Sequence, residues 1–173
     1  MTEPLNVEPL GTHHNRVGFS CGEPALDRYL RYQAGQEQRR RVAAVFVLSP
    51  ADSAAVAGFY TLSMYALVPA ELPESFARKL PRYDRLPAAL IGRLAVDTRF
   101  AGRGLGRRLL MNALERSLRA TEQVAAVAVV VEAKHDRAQR WYEQFGFTSF
   151  VDNPHRLFLP MDTINQLIGA QAT

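Results

Sequence analysis

The sequence predicts a single mixed α/β domain: one central sheet of mixed strand direction, flanked by helices. Three observations carry this reading. The second half alternates strand, helix, strand, helix and strand. The first half places two β-rich runs on either side of a short turn at Pro50–Ser53. The length of 173 residues, 47% of them apolar, suits one compact domain over residues 1–173 with a sizeable core.

The elements follow in order. Residues 6–10 predict a short first strand. Pro24 stands where a helix tolerates proline, at its first position. Ala25, Leu26, Tyr29 and Leu30 continue a helical stripe, which extends through Gln33–Arg41 with a break expected near Gly35. Val42–Leu48 and Val56–Leu62 read as a strand hairpin. Residues 68–88 hold four prolines, with a short helix expected around Glu74–Leu80; this irregular stretch is a candidate substrate-facing loop. Ala89–Val96 is an apolar strand. Leu105, Leu109, Leu110, Ala113 and Leu114 then repeat at helical spacing. Val124–Val131 is a β-branched run suited to a strand buried on both faces. Asp136 is placed to cap a helix carrying Ala138, Trp141, Tyr142 and Phe145 on one face, and Gly146 to end it. Phe147–Val151 and Arg156–Leu159 close the sheet.

Composition narrows the function classes. Twenty-one Lys and Arg against seventeen Asp and Glu give a net charge of +4. That charge permits an anionic ligand or nucleic acid without demanding either. Cys21 is the only cysteine, which excludes an intramolecular disulfide and fits a cytoplasmic protein. A lone thiol reads first as a small apolar residue. The N-terminus lacks the pattern of a signal peptide, and no apolar run is long enough to span a membrane. No His, Cys, Asp or Glu set has the spacing of metal ligands, so no metal is expected.

The chemistry concentrates in Arg93-Leu-Ala-Val-Asp97 and the turn Gly102-Arg-Gly104-Leu-Gly106-Arg-Arg. The turn opens a helix, and Arg103, Arg107 and Arg108 crowd its start. A helix N-terminus carries partial positive charge, so cations there repel it unless an anion lies among them. Free N–H groups, glycines that admit close approach, and arginines together make a phosphate cradle. The third glycine falls one residue early for a dinucleotide fingerprint, and the Gly-Lys-Ser/Thr of a P-loop is absent.

Leu94-Ala-Val-Asp97, Gly102-x-Gly104-x-Gly106 with the following Leu109-Leu110, and Ala138-x-x-Trp-Tyr142-x-x-x-Gly-Phe147 resemble the GNAT acetyltransferase superfamily. The resemblance implies a GNAT-type sheet with splayed strands, and acetyl-CoA as acetyl donor. It assigns the pantetheine arm to the backbone of Leu94, Ala95 and Val96. It assigns the pyrophosphate to Gly102, Arg103, Gly104, Leu105, Gly106 and Arg107. Ala101 departs from the Gln or Arg that the family often has before the first glycine, and Arg99 is the nearest replacement charge. The resemblance also makes Tyr142 the acid that assists the leaving thiolate. A phenol near pKa 10 suits a thiol near 8.5. As a bare sequence feature, Tyr142 also fits simple packing in its helix's apolar stripe.

No general base stands out; Asp97 and Glu132 are the only acids close to the motif strands. Near pH 7 about one lysine amine in 2,500 is neutral, against about one α-amine in seven. An enzyme without a base therefore acetylates an α-amine more easily.

Phe19-Ser-Cys-Gly22, Leu26-Asp27-x-Tyr-Leu30, Gly58-Phe-Tyr-Thr-Leu-Ser63, Gly92-Arg-Leu-Ala-Val-Asp97 and Leu157-Phe-Leu-Pro-Met161 are similar to the GNAT toxins of bacterial toxin–antitoxin modules. That closer resemblance implies acetylation of the α-amine of aminoacyl-tRNA and a ribbon–helix–helix antitoxin as partner; the shortness of the apolar runs predicts no membrane association. Exposed strands at a sheet edge make a homodimer the expected assembly. Arg39, Arg40 and Arg41, with Arg78, Arg82 and Arg85, are the candidate tRNA contacts; an ordinary solvated face accounts for them equally. Two other readings stay open: an acetyltransferase of a small-molecule or protein amine, and a CoA-binding module without turnover.

Overall fold

A computed structural model describes residues 4–171. Its strands are β1 (Leu5–Pro9), β2 (Ala44–Pro50), β3 (Gly58–Leu67), β4 (Leu86–Val96), β5 (Ala128–Glu132), β6 (Thr148–Phe150) and β7 (Asn153–Pro160). The helices are α1 (Pro24–Arg28), α2 (Ala34–Arg39), α3 (Glu74–Ala77), α4 (Leu105–Ala120), α5 (Asp136–Glu143) and α6 (Met161–Gln171). The strands form one mixed sheet in the order β1-β2-β3-β4-β5-β7-β6. Strand β4 runs parallel to β5, whereas β1/β2, β2/β3, β5/β7 and β6/β7 are antiparallel. The parallel ladder spans Ala89↔Val129 to Ile91↔Val131, and β4 continues beyond it to Val96.

The chain divides into two compact units, with β3, β4 and α4 passing from one into the other. The first comprises Met1–Ser63 and Gly92–Ala113. Its core gathers Phe19, Leu30, Val45, Val47 and Phe59, with Ala95 of β4 among them. Gly58 is required here by close approach: a Cβ on it would lie 2.9 Å from the Ala95 carbonyl oxygen and 2.7 Å from Leu109 Cδ1. The second half of β4 and the start of α4 thus press directly onto the β3 backbone.

The second unit comprises Met64–Ile91 and Leu114–Thr173. Leu67, Leu86, Val130, Phe150 and Phe158 fill its core. Val129, Val130 and Val131 are all fully buried, as a strand covered on both faces requires. Each such side chain contributes roughly 1.5–3 kcal/mol of burial.

Several element bounds differ from the sequence reading. The first helical segment does not break at Gly35; it widens into a π-helical turn at Tyr29–Gln33 and continues as α2. Strand β2 begins at Ala44 because the chain turns through Arg41, whose φ is +59°. Strand β5 begins only at Ala128: the Val124 N–H bonds the Ala120 carbonyl at 2.8 Å and closes the end of α4, leaving Val124 exposed. His135 caps α5, accepting from the Ala138 N–H, while Asp136 binds His155 at 2.7 Å. Helix α6, with Met161 and Ile164 buried, has no counterpart in the sequence reading.

Candidate active site

The glycine turn lies in the first unit, between β4 and α4. Gly102 and Gly104 have φ of +79° and +72°, a region that side chains with a Cβ rarely adopt. A Cβ on either would meet nothing within 4 Å. Conformation rather than crowding therefore requires glycine here, and the turn borders open space. Leu105 is buried and anchors the first residue of α4, so the helix start is fixed and its first N–H groups point out of the helix. Gly106 falls in the same first turn, which has no acidic residue. Arg103 is exposed, its guanidinium 5.3 Å from the Phe100 ring centroid, and Arg107 is exposed one turn on. This arrangement fits a pyrophosphate: fixed donors, exposed cations and no acidic residue in the first turn of the helix. Arg108 differs from its neighbours, because its guanidinium bonds the Leu5 carbonyl and ties α4 to β1.

Strand β4 leads into this turn. Ala95 faces the first unit's core, and alternation places Leu94 and Val96 on the opposite face. Asp97 closes the strand with a fully buried side chain. Its carboxylate accepts the Ser20 N–H at 3.0 Å, the Arg99 N–H at 2.8 Å, and the Arg99 guanidinium at 2.9 and 3.1 Å. Burial alone would raise its pKa, but the Arg99 and Ser20 bonds together outweigh burial and hold it below the usual carboxylate value. Arg99 is thereby committed to Asp97, so it does not stand in for the missing charge at Ala101. One residue before Leu94, the Arg93 guanidinium lies 3.6 Å from the centroid of the Tyr29 ring. The Tyr29 hydroxyl donates to Glu37 at 2.9 Å. Burial, then that bond, raises its pKa, so it stays a neutral donor. The sequence reading missed this pair; an arginine inside an apolar strand was its visible signal.

Tyr142 lies in the second unit, on α5. It is 6% exposed and packs edge-on against Trp141 and Phe147. Its hydroxyl makes no hydrogen bond among the described residues. Burial pushes its pKa up from the ordinary value. The group is therefore a neutral O–H at physiological pH, better suited to hydrogen-bonding a developing thiolate than to releasing a proton early. Glu132, the other motif acid, is bonded to Arg156 at 3.1 Å.

The basic candidates divide between the units. Arg39 and Arg40 end α2 and Arg41 follows; Arg78 ends α3, and Arg82 and Arg85 lie in the loop before β4. All six are exposed. Cys21 is half-buried, and burial pushes its thiol up to about 12, which makes it inert.

Glu8, His13 and His14 come together with their ligand atoms within 4.8 Å of one another. The Gly11 N–H donates to His14 Nδ1 at 2.9 Å, which places the ring proton on Nε2, where it donates to Glu8 at 2.7 Å. His14 keeps no lone pair for a metal, and the trio reads as a structural hydrogen-bond cluster.

Comparison with known proteins agrees with this geometry. Residues 69–149 match the family model described as an acetyltransferase (GNAT) domain. The chain is 37% identical to a tRNA-acetylating toxin of Mycobacterium tuberculosis, over 88% of this chain and 90% of that one. It is 32% identical to the probable toxin TacT of Sinorhizobium fredii, over 94% of each. Among solved structures, AtaT complexed with acetyl-methionyl-tRNAfMet superposes with a TM-score of 0.88, at 29% identity over 95% of this chain and 99% of that one. A tyrosine-to-phenylalanine mutant of AtaT, bound to the C-terminus of the antitoxin AtaR and acetyl-CoA, gives 0.80 at 26% identity, over 95% of this chain and 98% of that one.

Proposed function

Because this chain belongs to the GNAT acetyltransferase family, in its tRNA-acetylating toxin branch, we propose that it moves the acetyl group of acetyl-CoA onto the α-amine of aminoacyl-tRNA and so stops translation. The observation that carries the donor half is the left-handed glycine pair opening onto free space beside exposed Arg103 and Arg107. Acetyl-CoA, when bound, supplies an activated thioester. Gly102, Arg103, Gly104, Leu105, Gly106 and Arg107 would hold its pyrophosphate, and the Leu94–Val96 backbone its pantetheine amides. Tyr142 supplies the hydroxyl that steadies the departing thiolate.

The acceptor half rests on two supports. The Mycobacterium tuberculosis relative is a tRNA-acetylating toxin, and AtaT was solved with acetyl-methionyl-tRNA. Both motif acids are also committed elsewhere, Asp97 to Arg99 and Ser20, Glu132 to Arg156. A site without a free carboxylate base favours an amine that is partly neutral at pH 7, and the α-amine of an aminoacyl ester is one. Arg39, Arg40, Arg41, Arg78, Arg82 and Arg85 would meet tRNA phosphates. The same reading includes a homodimer acting in the cytoplasm and a small ribbon–helix–helix antitoxin as partner. Among the described residues no helix is long and apolar enough to cross a membrane.

Induced expression in a bacterium tests this, with wild type beside Tyr142→Phe. Wild type should arrest growth and leave acetylated aminoacyl-tRNA, while the variant does neither. Growth without arrest and with unmodified tRNA would count against the toxin reading.

A further inference from the structure

Arg16 and Arg39 converge on one spot. Arg16 lies in the loop before α1 and Arg39 in the last turn of α2. A Cβ built on Gly35 would stand 3.0 Å from Arg16 Nη1 and 3.3 Å from Arg39 Nη1. Two guanidinium groups thus sit over the one position of α2 that lacks a side chain, close enough for a single phosphate to bridge them. Neither makes a hydrogen bond or ion pair through its guanidinium among the described residues. Like charges held this close repel each other, and a negative group between them removes that cost. Position 35 has no left-handed backbone to demand glycine, and glycine weakens a helix. The glycine leaves the space above it to the two guanidinium ends.

The surroundings point to a nucleic-acid phosphate. Gly35 stands four residues before Arg39 in α2, a spacing that shares one side of the helix, and Tyr32 lies three residues before Gly35 in the adjoining π-helical turn. Tyr32 is 67% exposed, an unusual setting for an aromatic, and the Arg31 guanidinium lies 5.6 Å from its ring centroid. A cation paired with an exposed aromatic beside a phosphate notch is the combination that holds single-stranded nucleic acid. The element is also placed near the reaction: Tyr29, in the same π-helical turn as Tyr32, lies under Arg93, next to Leu94.

We infer that Arg16 and Arg39 clasp a backbone phosphate of the acceptor RNA over Gly35, with Tyr32 as a stacking platform for a neighbouring base. The inference rests on the proposed aminoacyl-tRNA substrate and adds a specific subsite to it. Of the two arginines that form the clasp, only Arg39 belongs to the basic run visible in the sequence.

Equilibrium binding of 5′-fluorescein-labelled tRNA to the full-length protein tests the clasp, with acetyl transfer to aminoacyl-tRNA measured alongside. Arg16→Ala and Arg39→Ala should each weaken binding about 5–10-fold at low salt, and each should reduce the slope of log affinity against log salt by about one. The double variant should lose less than the product of the two losses, since one phosphate is shared. KM for acetyl-CoA should not move. Two variants at position 35 separate the clasp from a merely structural role: Gly35→Ala, which displaces two flexible side-chain ends by only a small amount, should raise Tm and leave tRNA binding nearly unchanged, whereas Gly35→Leu, which fills the space between the guanidiniums, should weaken tRNA binding several-fold without lowering Tm. Wild-type affinity and salt slope in both arginine variants would overturn the clasp, while transfer by the wild type leaves the acceptor reading standing. An acidic segment of a protein partner as the true occupant would show that same result. Wild-type protein that neither binds nor acetylates tRNA would overturn the clasp and the acceptor reading together.

Discussion

Arg99 lays both arms of its guanidinium fork on Asp97, Nε on Oδ1 at 2.9 Å and Nη2 on Oδ2 at 3.1 Å. The same carboxylate holds the Ser20 N–H, and the Thr98 N–H bonds the Ser20 carbonyl at 2.8 Å. The end of β4 is therefore stitched to the loop that leads into α1. The glycine turn begins from a fixed point rather than from a loose strand end.

Asp97→Asn should lower unfolding stability by about 2 kcal/mol, the range for a hydrogen bond to a charged group. Urea denaturation measures it. The folded-state pKa is lowered, so the stabilisation is complete above the unfolded value near 4 and is lost as pH falls through the folded value. Wild type should thus lose stability below about pH 4 more steeply than the variant.

Tyr142→Phe should keep the fold and the affinity for acetyl-CoA, because the ring packing against Trp141 and Phe147 is preserved. Transfer should fall by about 100-fold or more, the scale of a positioned proton donor. Isothermal titration with acetyl-CoA beside a steady-state rate separates the two effects. Full activity in the variant would remove Tyr142 from the mechanism.

Arg103→Ala and Arg107→Ala should each raise KM for acetyl-CoA by about tenfold, as loss of a charge-assisted phosphate contact does. An S-acetyl pantetheine donor has no pyrophosphate, so its kinetics should not change. Equal sensitivity of both donors would place these arginines elsewhere. Arg108→Ala should instead act through stability, since its guanidinium serves the β1 backbone.

Cys21 should resist alkylation. With its pKa pushed up to about 12, about one thiol in ten thousand is ionised at pH 8. Iodoacetamide labelling followed by mass should proceed only as the protein unfolds or the pH approaches 12. Cys21→Ser should retain transfer activity.

The mixed sheet and the glycine turn were legible because both rest on local patterns. Alternating and continuous apolar runs mark β2 to β5, and Gly102-x-Gly104-x-Gly106 lies in a setting that few turns share. The Val124–Val131 run misled because an apolar stretch does not show where it starts to pair; the Ala120 carbonyl decided that by capturing the Val124 N–H. Helix α6 was hidden behind Pro160, which reads as the end of a strand, although Met161, Ile164 and Ile168 do recur at helical spacing. The π-helical turn has no local signature in the sequence. The roles of Asp97, Arg99 and Arg108 were not legible either. Each is set by a partner distant in sequence or by burial, and charge alone made Arg99 and Arg108 look like phosphate ligands.

The most direct measurement is transfer of labelled acetyl from acetyl-CoA by the purified protein, with aminoacyl-tRNA, the same tRNA deacylated, a polyamine and a lysine peptide as acceptors. Label should appear on the aminoacyl-tRNA alone, on the amino acid's α-nitrogen, and be released with the amino acid when the ester is hydrolysed. Label on the polyamine or the lysine peptide, with aminoacyl-tRNA unmodified, would contradict the account.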